Sequence, residues 1–256
     1  MEKLISVAVM RASDAAEIAG GTDSKTLMYR AGLGLFQSWD WHGKIDIVTG
    51  SGNNAGDGYV LALLLRQHGI PCRIVRTSEK VSPDGGYFFA KCEERGIPVT
   101  DSVDFSHTDI LVDCLLGTGF RGELRPSMRH IVEQINQSGA AVLSVDINSG
   151  MKGDSGDGFC VRSDRTVSIG CLKYGHLLGM AQGKIGSLYN YDIGIPCKAA
   201  ICLCSPETTG LRNRGTSFRQ SPFHKFWTIS TFLPVNRHNA YKCWRIRSGR
   251  RCSFSP

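Results

Sequence analysis

The stretch "VTGSGNNAGDGYVLALLLRQHG", Val48–Gly69, decides the fold because it has the pattern of a buried strand, a glycine-rich turn and a helix. Within it, Gly50-x-Gly52-x-x-Ala55 fits the loose dinucleotide-binding fingerprint, which occurs at such a junction. The following strand, "PCRIVRT", ends in Arg76 and offers no acid to hold a ribose, as the full fingerprint requires. The motif therefore predicts a nucleotide-type turn, but not a standard dinucleotide site.

The same turn carries two asparagines and an aspartate that a simple phosphate loop does not need. Asn53 and Asn54 are also residues that tolerate a left-handed turn, and Asp57 is also a residue that caps helices. A capping acid, however, competes with an incoming phosphate for the positive end of the helix. The pattern therefore favours a mixed site, in which backbone N–H groups hold a phosphate and side-chain oxygens hold a cation or a substrate hydroxyl.

Outward from this stretch, strands alternate with helices of about 10–15 residues, which is typical of βαβ units. Two helices lead the chain, one after Ser13 and one after Ser24. The remaining predicted strands are "KIDIVTG", "PCRIVRT", "TDILVDCLLGTG", "AAVLSVDINSG", "RTVSIG" and "KIGSLYNYDIGIP", and the remaining helices are "GDGYVLALLLRQHG", "SPDGGYFFAKCEERG" and "PSMRHIVEQINQSG". The order predicts an α/β fold with a mainly parallel sheet and helices on both faces.

Charge divides the 256-residue chain at about residue 197. Residues 198–256 carry 11 Lys/Arg and one acid, whereas residues 1–197 carry 19 basic and 22 acidic residues. The folded part is thus mildly acidic, which argues against nucleic acid as a partner. We expect a domain over 1–197 and a basic, Cys/Ser/Arg-rich, poorly folded tail over 198–256, the remnant of a linker or of a truncated second domain. A second alternative for the tail is sequence read out of its natural frame.

The cysteines and the hydropathy pattern indicate a reducing, cytoplasmic setting. Cys72, Cys92, Cys114, Cys160 and Cys171 stand singly among apolar or strand-like residues, which favours buried, reduced thiols. No stretch approaches the roughly 20 apolar residues of a membrane span, and the N-terminus lacks a signal-peptide pattern. We therefore expect no membrane partner.

Three acids follow glycine turns or strand ends on the chain, namely Asp57, Asp113 and Asp146. Because the carboxyl ends of parallel strands meet at one edge of a sheet, we expect these carboxylates to share a cation, share a proton or titrate apart. Hard oxygen ligands suit an alkali or alkaline-earth ion. The histidines, among them His176, show no shared spacing with an acid, and no G-x-S-x-G or Walker A motif is present.

Taken together, "LMYRAG", "GSGNNAGDGYVLA", "DCLLGTGFRGEL", "VLSVDINSG" and "TVSIGCLKYGHLLGMAQGKIGSLYNYDIGIP" resemble the YjeF N-terminal domain family, the NAD(P)H-hydrate (NAD(P)HX) epimerases. The resemblance implies a Rossmann-like three-layer α/β/α sandwich with a mainly parallel sheet. It also implies interconversion of the R and S epimers at the hydrated C6 carbon of NADHX or NADPHX. Its functional partner would be an ADP- or ATP-dependent NAD(P)HX dehydratase, and a homodimer is one oligomeric state compatible with the family.

The resemblance also implies a set of site residues. The substrate would contact the Asn-Asn turn, the loop after the third strand and the aspartate after the fourth, that is Asn53, Asn54, Ala55, Gly56, Asp57, Gly117, Thr118, Gly119, Phe120, Arg121, Gly122, Glu123 and Asp146. A potassium ion would be held by Asn54, Asp113 and Ser149. Epimerisation needs a proton moved at C6, and we expect Asp146 to be the acid/base, with Asp57 as the second candidate.

Two positions depart from the family pattern. Ala55 stands where glycine is usual, which would cost about 1 kcal/mol or more if the backbone there needs a positive φ. Asn148 replaces the usual proline, and we expect it to loosen the turn that presents Ser149. Neither change removes a liganding side chain, so we expect activity to survive with weaker potassium or substrate binding.

Two other classes of function stay open on the sequence alone. One is a non-catalytic binding or scaffold module of the same fold, which has no need of Asn54, Asp57, Asp113 and Asp146 at matching strand ends. The other is a nucleotide-dependent oxidoreductase, which would reduce a cofactor. Dehydratase activity is not expected, because about 60 residues after the resemblance are too few for that domain and lack its glycine-rich patterns.

Overall fold

The computed structural model describes residues 2–179, 181–197, 201–203, 230–235 and 240–245. Its helices are α1 (Val7–Ala19), α2 (Ser24–Gln37), α3 (Asn53–Gln67), α4 (Pro83–Glu94) and α5 (Pro126–Gln137). Its strands are β1 (Glu2–Ile5), β2 (Ile45–Thr49), β3 (Cys72–Arg76), β4 (Val99–Thr100), β5 (Ile110–Cys114), β6 (Ala141–Val145), β7 (Ser163–Ile169), β8 (Leu172–Lys173), β9 (Ile185–Tyr191), β10 (Ile201–Leu203), β11 (Ser230–Val235) and β12 (Ala240–Arg245).

Seven strands form one sheet in the order β4-β3-β2-β5-β6-β7-β9, and every neighbouring pair in it is parallel. The chain moves outward in one direction from β2 to β4 and in the other from β5 to β9. The boundary between β2 and β5 is thus a topological switch point, where ligands bind in open α/β sheets. The predicted, mainly parallel sheet is confirmed.

Helices cover both faces of this sheet because successive strand residues point to opposite sides. Ile47 and Val112 pack into a large core with α2, α3 and α4, whereas Val48 and Leu111 pack into a second core with α5. These two cores make a three-layer α/β/α sandwich, which confirms the predicted fold class. Within the described ranges, every helix is too short or too polar to span a bilayer.

Most predicted elements agree with the structure, but the first helix begins earlier than predicted. The prediction that it starts after Ser13 is wrong, because Ser6 is the N-cap and its hydroxyl accepts a hydrogen bond from the backbone of Val9. The helix after Ser24, the helix capped by Ser82 and the helix led by Pro126 are confirmed. The short apolar N-terminal run that hid the true cap forms β1 and the first turn of α1.

A small separate sheet joins the two ends of the main domain. In it β1 pairs in parallel with β8 and antiparallel with β10, so residues 201–203 reach back past the expected boundary at 197. The strands β11 and β12 pair with each other. The rest of the predicted tail, 198–200, 204–229, 236–239 and 246–256, lies outside the described residues.

The cysteine prediction is largely confirmed. Cys92, Cys114, Cys160 and Cys171 are buried free thiols, and Cys72 is a half-buried free thiol.

Candidate active site

The glycine turn after β2 ends where α3 begins, at Asn53, three residues earlier than the sequence indicated. Gly50 lies so close to the strand-end backbone of β5 that a Cβ atom there would stand 2.1 Å from the carbonyl oxygen of Leu115. Gly52 is the N-cap and has no side chain to cap the helix. Asp57 is the fifth residue of α3, so the alternative in which it caps the helix is wrong. Asn53 and Asn54 belong to the first helical turn and not to a left-handed turn.

Asn54 is a buried side chain with nothing to bind. Only 6% of it is exposed, and both its Oδ1 and its Nδ2 lack a hydrogen-bond partner among the described residues. The side chain lies beside the loop after β5, where a Cβ on Gly117 would stand 3.4 Å from the Cβ of Asn54. A buried amide without partners is costly for the free protein, which indicates that a ligand completes it.

Asp113 and Ser149 form one buried polar unit between β5 and the turn after β6. The carboxylate of Asp113 accepts hydrogen bonds from the Ser149 hydroxyl (2.5 Å), the Ser149 backbone N–H (2.9 Å) and the Ser144 hydroxyl (2.9 Å). The Ser149 Oγ in turn accepts the N–H of Leu116 at 2.8 Å. Burial raises the pKa of Asp113, and the hydrogen bonds from Ser149, Ser144 and Leu115 oppose that rise. The unit anchors the loop after β5 to the turn after β6.

A cleft of about 550 Å³ opens at the switch point. Its walls include the predicted residues Asn53, Asn54, Asp57, Gly117, Thr118, Gly119, Phe120 and Asp146, together with Arg11 and Asp14 of α1. The predicted residues Ala55, Gly56, Arg121, Gly122, Glu123, Asp113 and Ser149 are not among the residues that line it. Sequence reasoning missed Arg11 and Asp14, because the wrong start of α1 hid the face that α1 turns to the cleft.

The two departures from the family pattern have structural answers. Ala55 is helical, without a positive φ, and its methyl group packs in the main core, so the expected backbone penalty does not arise. The expectation that Asn148 loosens its turn is wrong. Its buried amide nitrogen lies 2.9–3.0 Å from the oxygens of Val161, Ser163 and Lys184, and its Oδ1 accepts the hydroxyl of Thr166 at 2.6 Å.

Three carboxyl groups face the cleft and have separated acidities. Burial raises the pKa of Asp57 well above its ordinary value, and the nearby Asp146 carboxylate adds to that rise. Burial also raises the pKa of Asp14, to about 6. Burial acts in the same direction on Asp146, but the charge and hydrogen bond of Lys173 outweigh it and leave the pKa of Asp146 below its ordinary value. Of the alternatives for the acids, Asp57 and Asp146 therefore titrate apart.

Asp146 has contacts that its place after β6 did not predict. Its φ is 62°, the only positive value on a non-glycine residue in the described ranges. Its Oδ1 lies 2.5 Å from the Nζ of the buried Lys173, and its carbonyl oxygen lies 2.8 Å from the Nε2 of His176. The dismissal of His176 at the sequence level is thus wrong, because the contact goes to a backbone oxygen. The one sequence signal was the short Lys-x-x-His segment directly after β7.

The acids do not form a metal cluster of their own. Among the described residues, no three His, Cys, Asp or Glu side chains are arranged to hold a metal ion. The oxygens of Asn54 and Ser149 are of other types, so a site built from them with Asp113 is a separate question that the Asn54 amide, unpaired and buried, brings forward.

The fold and the place of the cleft define a Rossmann-like α/β domain with a ligand-sized site at its switch point. The chain belongs to the YjeF N-terminal family, since residues 24–175 match the model described as "YjeF-related protein N-terminus". In fold it is similar to the crystal structure of yeast ynu0, with a TM-score of 0.62 and 21% identity over 73% of this chain and 88% of that one.

Two relatives illustrate what the family contains. The chain is 34% identical over 185 residues to a protein of Lentilactobacillus buchneri named NAD(P)H-hydrate epimerase, covering 68% of this chain and 86% of the relative. It is 35% identical over 191 residues to a protein of Archaeoglobus fulgidus named bifunctional NAD(P)H-hydrate repair enzyme Nnr, covering 73% of this chain but only 40% of the relative. The chain thus corresponds to one part of the bifunctional protein.

Proposed function

We propose that this chain interconverts the R and S epimers of NADHX and NADPHX at C6 of the nicotinamide ring, a step in the repair of damaged cofactor. The observation that carries the proposal is the pair Asp57 and Asp146, whose pKa values are pushed in opposite directions in one cleft. Such a separated pair supplies an acid and a base at the same pH. The names of the relatives supply the substrate.

The pair can move the protons that epimerisation requires. The ionised Asp146 takes the proton of the C6 hydroxyl while the C6–N1 bond breaks and C6 becomes an aldehyde. The neutral Asp57 gives its proton to N1. After rotation about the C5–C6 bond, N1 attacks the other face of the aldehyde, returns its proton to Asp57, and Asp146 reprotonates the oxygen. Each group ends as it began, as a catalyst must.

The substrate phosphates would bind where backbone N–H groups meet the cleft. The first turn of α3 lines the cleft with Asn53 and Asn54, and its N-cap Gly52 leaves the helix N–H groups free of a side-chain cap. The loop Gly117–Phe120 forms the facing wall. Arg121 supports that loop, since its guanidinium donates to the carbonyl oxygens of Thr118 and Phe120.

A potassium ion fits the oxygen groups behind this loop. The unpaired Oδ1 of Asn54, the Asp113 carboxylate and the Ser149 hydroxyl are hard ligands with a single negative charge among them, which suits a monovalent cation. A bound potassium ion would supply a fixed positive charge next to the substrate loop. The Asn54 amide would then gain the partner that the free protein lacks.

The functional partner would be an ADP- or ATP-dependent NAD(P)HX dehydratase. Such an enzyme, if it accepts one epimer, needs the other epimer converted, and the relatives named bifunctional repair enzymes carry additional sequence beyond the part this chain matches.

The deciding experiment measures conversion of R-NADHX to the S epimer by chromatography, in potassium and in tetramethylammonium buffers. We expect conversion that rises with potassium and is lost in Asp146→Asn. Full conversion by Asp146→Asn would contradict its role as the base. A folded chain that converts neither epimer in any buffer would instead favour the binding-module alternative.

A further inference from the structure

Asp146 is held at both ends by one four-residue segment. Lys173, at the end of β8, contacts the side-chain Oδ1 at 2.5 Å, and His176, three residues later, contacts the backbone carbonyl at 2.8 Å. The second carboxylate oxygen, Oδ2, faces the glycine loop and accepts the N–H of Thr118 at 3.4 Å. The left-handed backbone of Asp146 turns its carboxylate toward the cleft, and a residue other than glycine keeps such a conformation only when its surroundings fix it.

Lys173 is fully committed to this task. Its side chain is 1% exposed, and its three N–H groups have three acceptors: Asp146 Oδ1, the carbonyl oxygen of Ile169 (2.7 Å) and the hydroxyl of Ser168 (3.4 Å). The ammonium therefore has no N–H left for a substrate. A charge this deeply buried is stable only with its partner, so Lys173 and the Asp146 carboxylate depend on each other.

The contacts of His176 define its tautomer. Its Nδ1 lies 3.0 Å from the backbone N–H of Lys173 and accepts that proton, so the proton of the ring sits on Nε2 and is donated to the Asp146 carbonyl oxygen. A second ring proton would break the bond to Lys173. Burial, helped by the charge of Lys173, accordingly lowers the pKa of His176 to about 4. His176 is a fixed, neutral strut at working pH.

We propose that the segment Lys173–His176 is the positioning element of the site, in which Lys173 orients the Asp146 carboxylate and His176 fixes the Asp146 backbone. The inference deepens the proposed function and rests on it for its kinetic consequence. Neither residue contacts the reacting atoms. They determine where the carboxylate stands and, through the charge of Lys173, that it is ionised.

The charged and titratable groups that face Asp146 come from four elements. Lys173 lies on β8, His176 on the short 3₁₀ turn 174–176, Asp57 on α3 and Asp14 on α1. The two aspartates disfavour an ionised Asp146, His176 is neutral, and Lys173 is the group whose loss matters most. Removing the Lys173 charge should therefore raise the pKa of Asp146 by about 1 to 3 pH units.

The test is a carboxyl titration of the whole chain by NMR, with ¹³C-labelled aspartate and the Asp146 signal assigned through Asp146→Asn. We expect the wild-type midpoint below the usual value of about 3.9, a rise of about 1 to 3 pH units in Lys173→Met, and a low midpoint retained in Lys173→Arg. Lys44→Met is the matched control, because Lys44 is exposed at the opposite, amino end of β2. Its Asp146 midpoint should equal that of the wild type.

Kinetics then tests positioning. In Lys173→Met the acid limb of kcat/KM for R-NADHX should move with the Asp146 midpoint, and kcat should fall by at least about tenfold. His176→Leu should lower kcat at constant KM, and His176→Gln, which can accept and donate at the same places, should restore part of it. A uniform loss of activity without movement of the acid limb would mean that Lys173 is merely structural.

The outcomes separate the inference from the proposed function. A wild-type midpoint at or above about 3.9, or one unmoved in Lys173→Met, overturns the inference even when the chain is an active epimerase. The expected midpoints in a chain that converts no NADHX leave the positioning element standing and refute the epimerase. Should Lys173→Met fail to fold, the wild-type midpoint and Lys173→Arg decide the matter.

Discussion

Replacing Asn148 should destabilise the protein by about 3 kcal/mol, although proline is the usual residue of the family at this position. The side chain is fully buried. Its two amide hydrogens serve the oxygens of Val161, Ser163 and Lys184, and its Oδ1 accepts the Thr166 hydroxyl. This amounts to three net hydrogen bonds of roughly 0.5–1.5 kcal/mol each. The hydroxyls of Ser163 and Thr166 are already paired at 2.8 Å, so they are not left wholly without partners.

The assay is urea unfolding followed by circular dichroism, in which about 3 kcal/mol lowers the midpoint by roughly 1–2 M. Asn148→Pro and Asn148→Ala should both show this loss. Asn148→Asp should be worse, because it turns a buried carboxylate toward two carbonyl oxygens. Asn136→Ala is the graded control: Asn136 is half-buried and makes two hydrogen bonds, to Cys160 O and from Arg162 N–H, so about half the loss is expected.

Two results would refute this reasoning. An Asn148→Pro variant as stable as the wild type would mean that the turn does not need the hydrogen bonds of the asparagine. An Asn148→Asp variant no worse than Asn148→Ala would mean that the amide nitrogen does not face the carbonyl groups. The site should respond as well, because the next residue, Ser149, reaches Asp113 with both its N–H and its hydroxyl. We therefore expect Asn148→Ala to need more potassium for half-maximal activity.

Three further changes test the cleft. The pKa of Asp14, raised to about 6, means that stability present below the unfolded value of about 3.9 is lost as the pH rises through 6, so Asp14→Asn should gain about 1 kcal/mol in urea unfolding at pH 8 and nothing at pH 4. Asp57→Asn should lower kcat at least about 100-fold, and the residual activity should lack the alkaline limb that loss of the Asp57 proton produces. Arg11 lines the cleft and, among the described residues, forms no salt bridge, so Arg11→Ala should raise KM for NADPHX about tenfold with kcat nearly constant, whereas Arg66→Ala, at the far end of α3, should change neither.

Local patterns made most elements of the fold predictable. The helix over Pro126–Gln137 has proline in its first turn and a clear apolar stripe, and Ser82 stands directly before its helix, so both could be placed from the residues alone. The two-residue strands β4 and β8 have no such pattern and were missed. The order of the strands was also out of reach, because parallel pairing joins segments far apart in the chain and leaves no local trace.

The site was predictable where a residue type has an unusual place and unpredictable where tertiary burial creates the chemistry. Asp113 and Asp146 stood out as acids at strand ends. Lys173 looked like a surface lysine, because nothing in the sequence reveals that it is 1% exposed. The pairing of Lys173 with Asp146 exists only because β8 follows β7 directly and returns the chain to the carboxyl edge of the sheet.

The polar cluster after β2 has a simple origin once α3 is known to begin at Asn53. Residues three and four apart share one face of a helix, so Asn53, Asn54 and Asp57 face the cleft together. The small residues between and after them face inward, where a Cβ on Gly56 would stand 2.4 Å from the sulfur of Met28. A stretch that resembles a decorated phosphate turn is therefore the amphipathic start of a helix, with liganding side chains on one face and space for close packing on the other. That arrangement accounts for the alanine at position 55, because its methyl group points into the core and away from the substrate side.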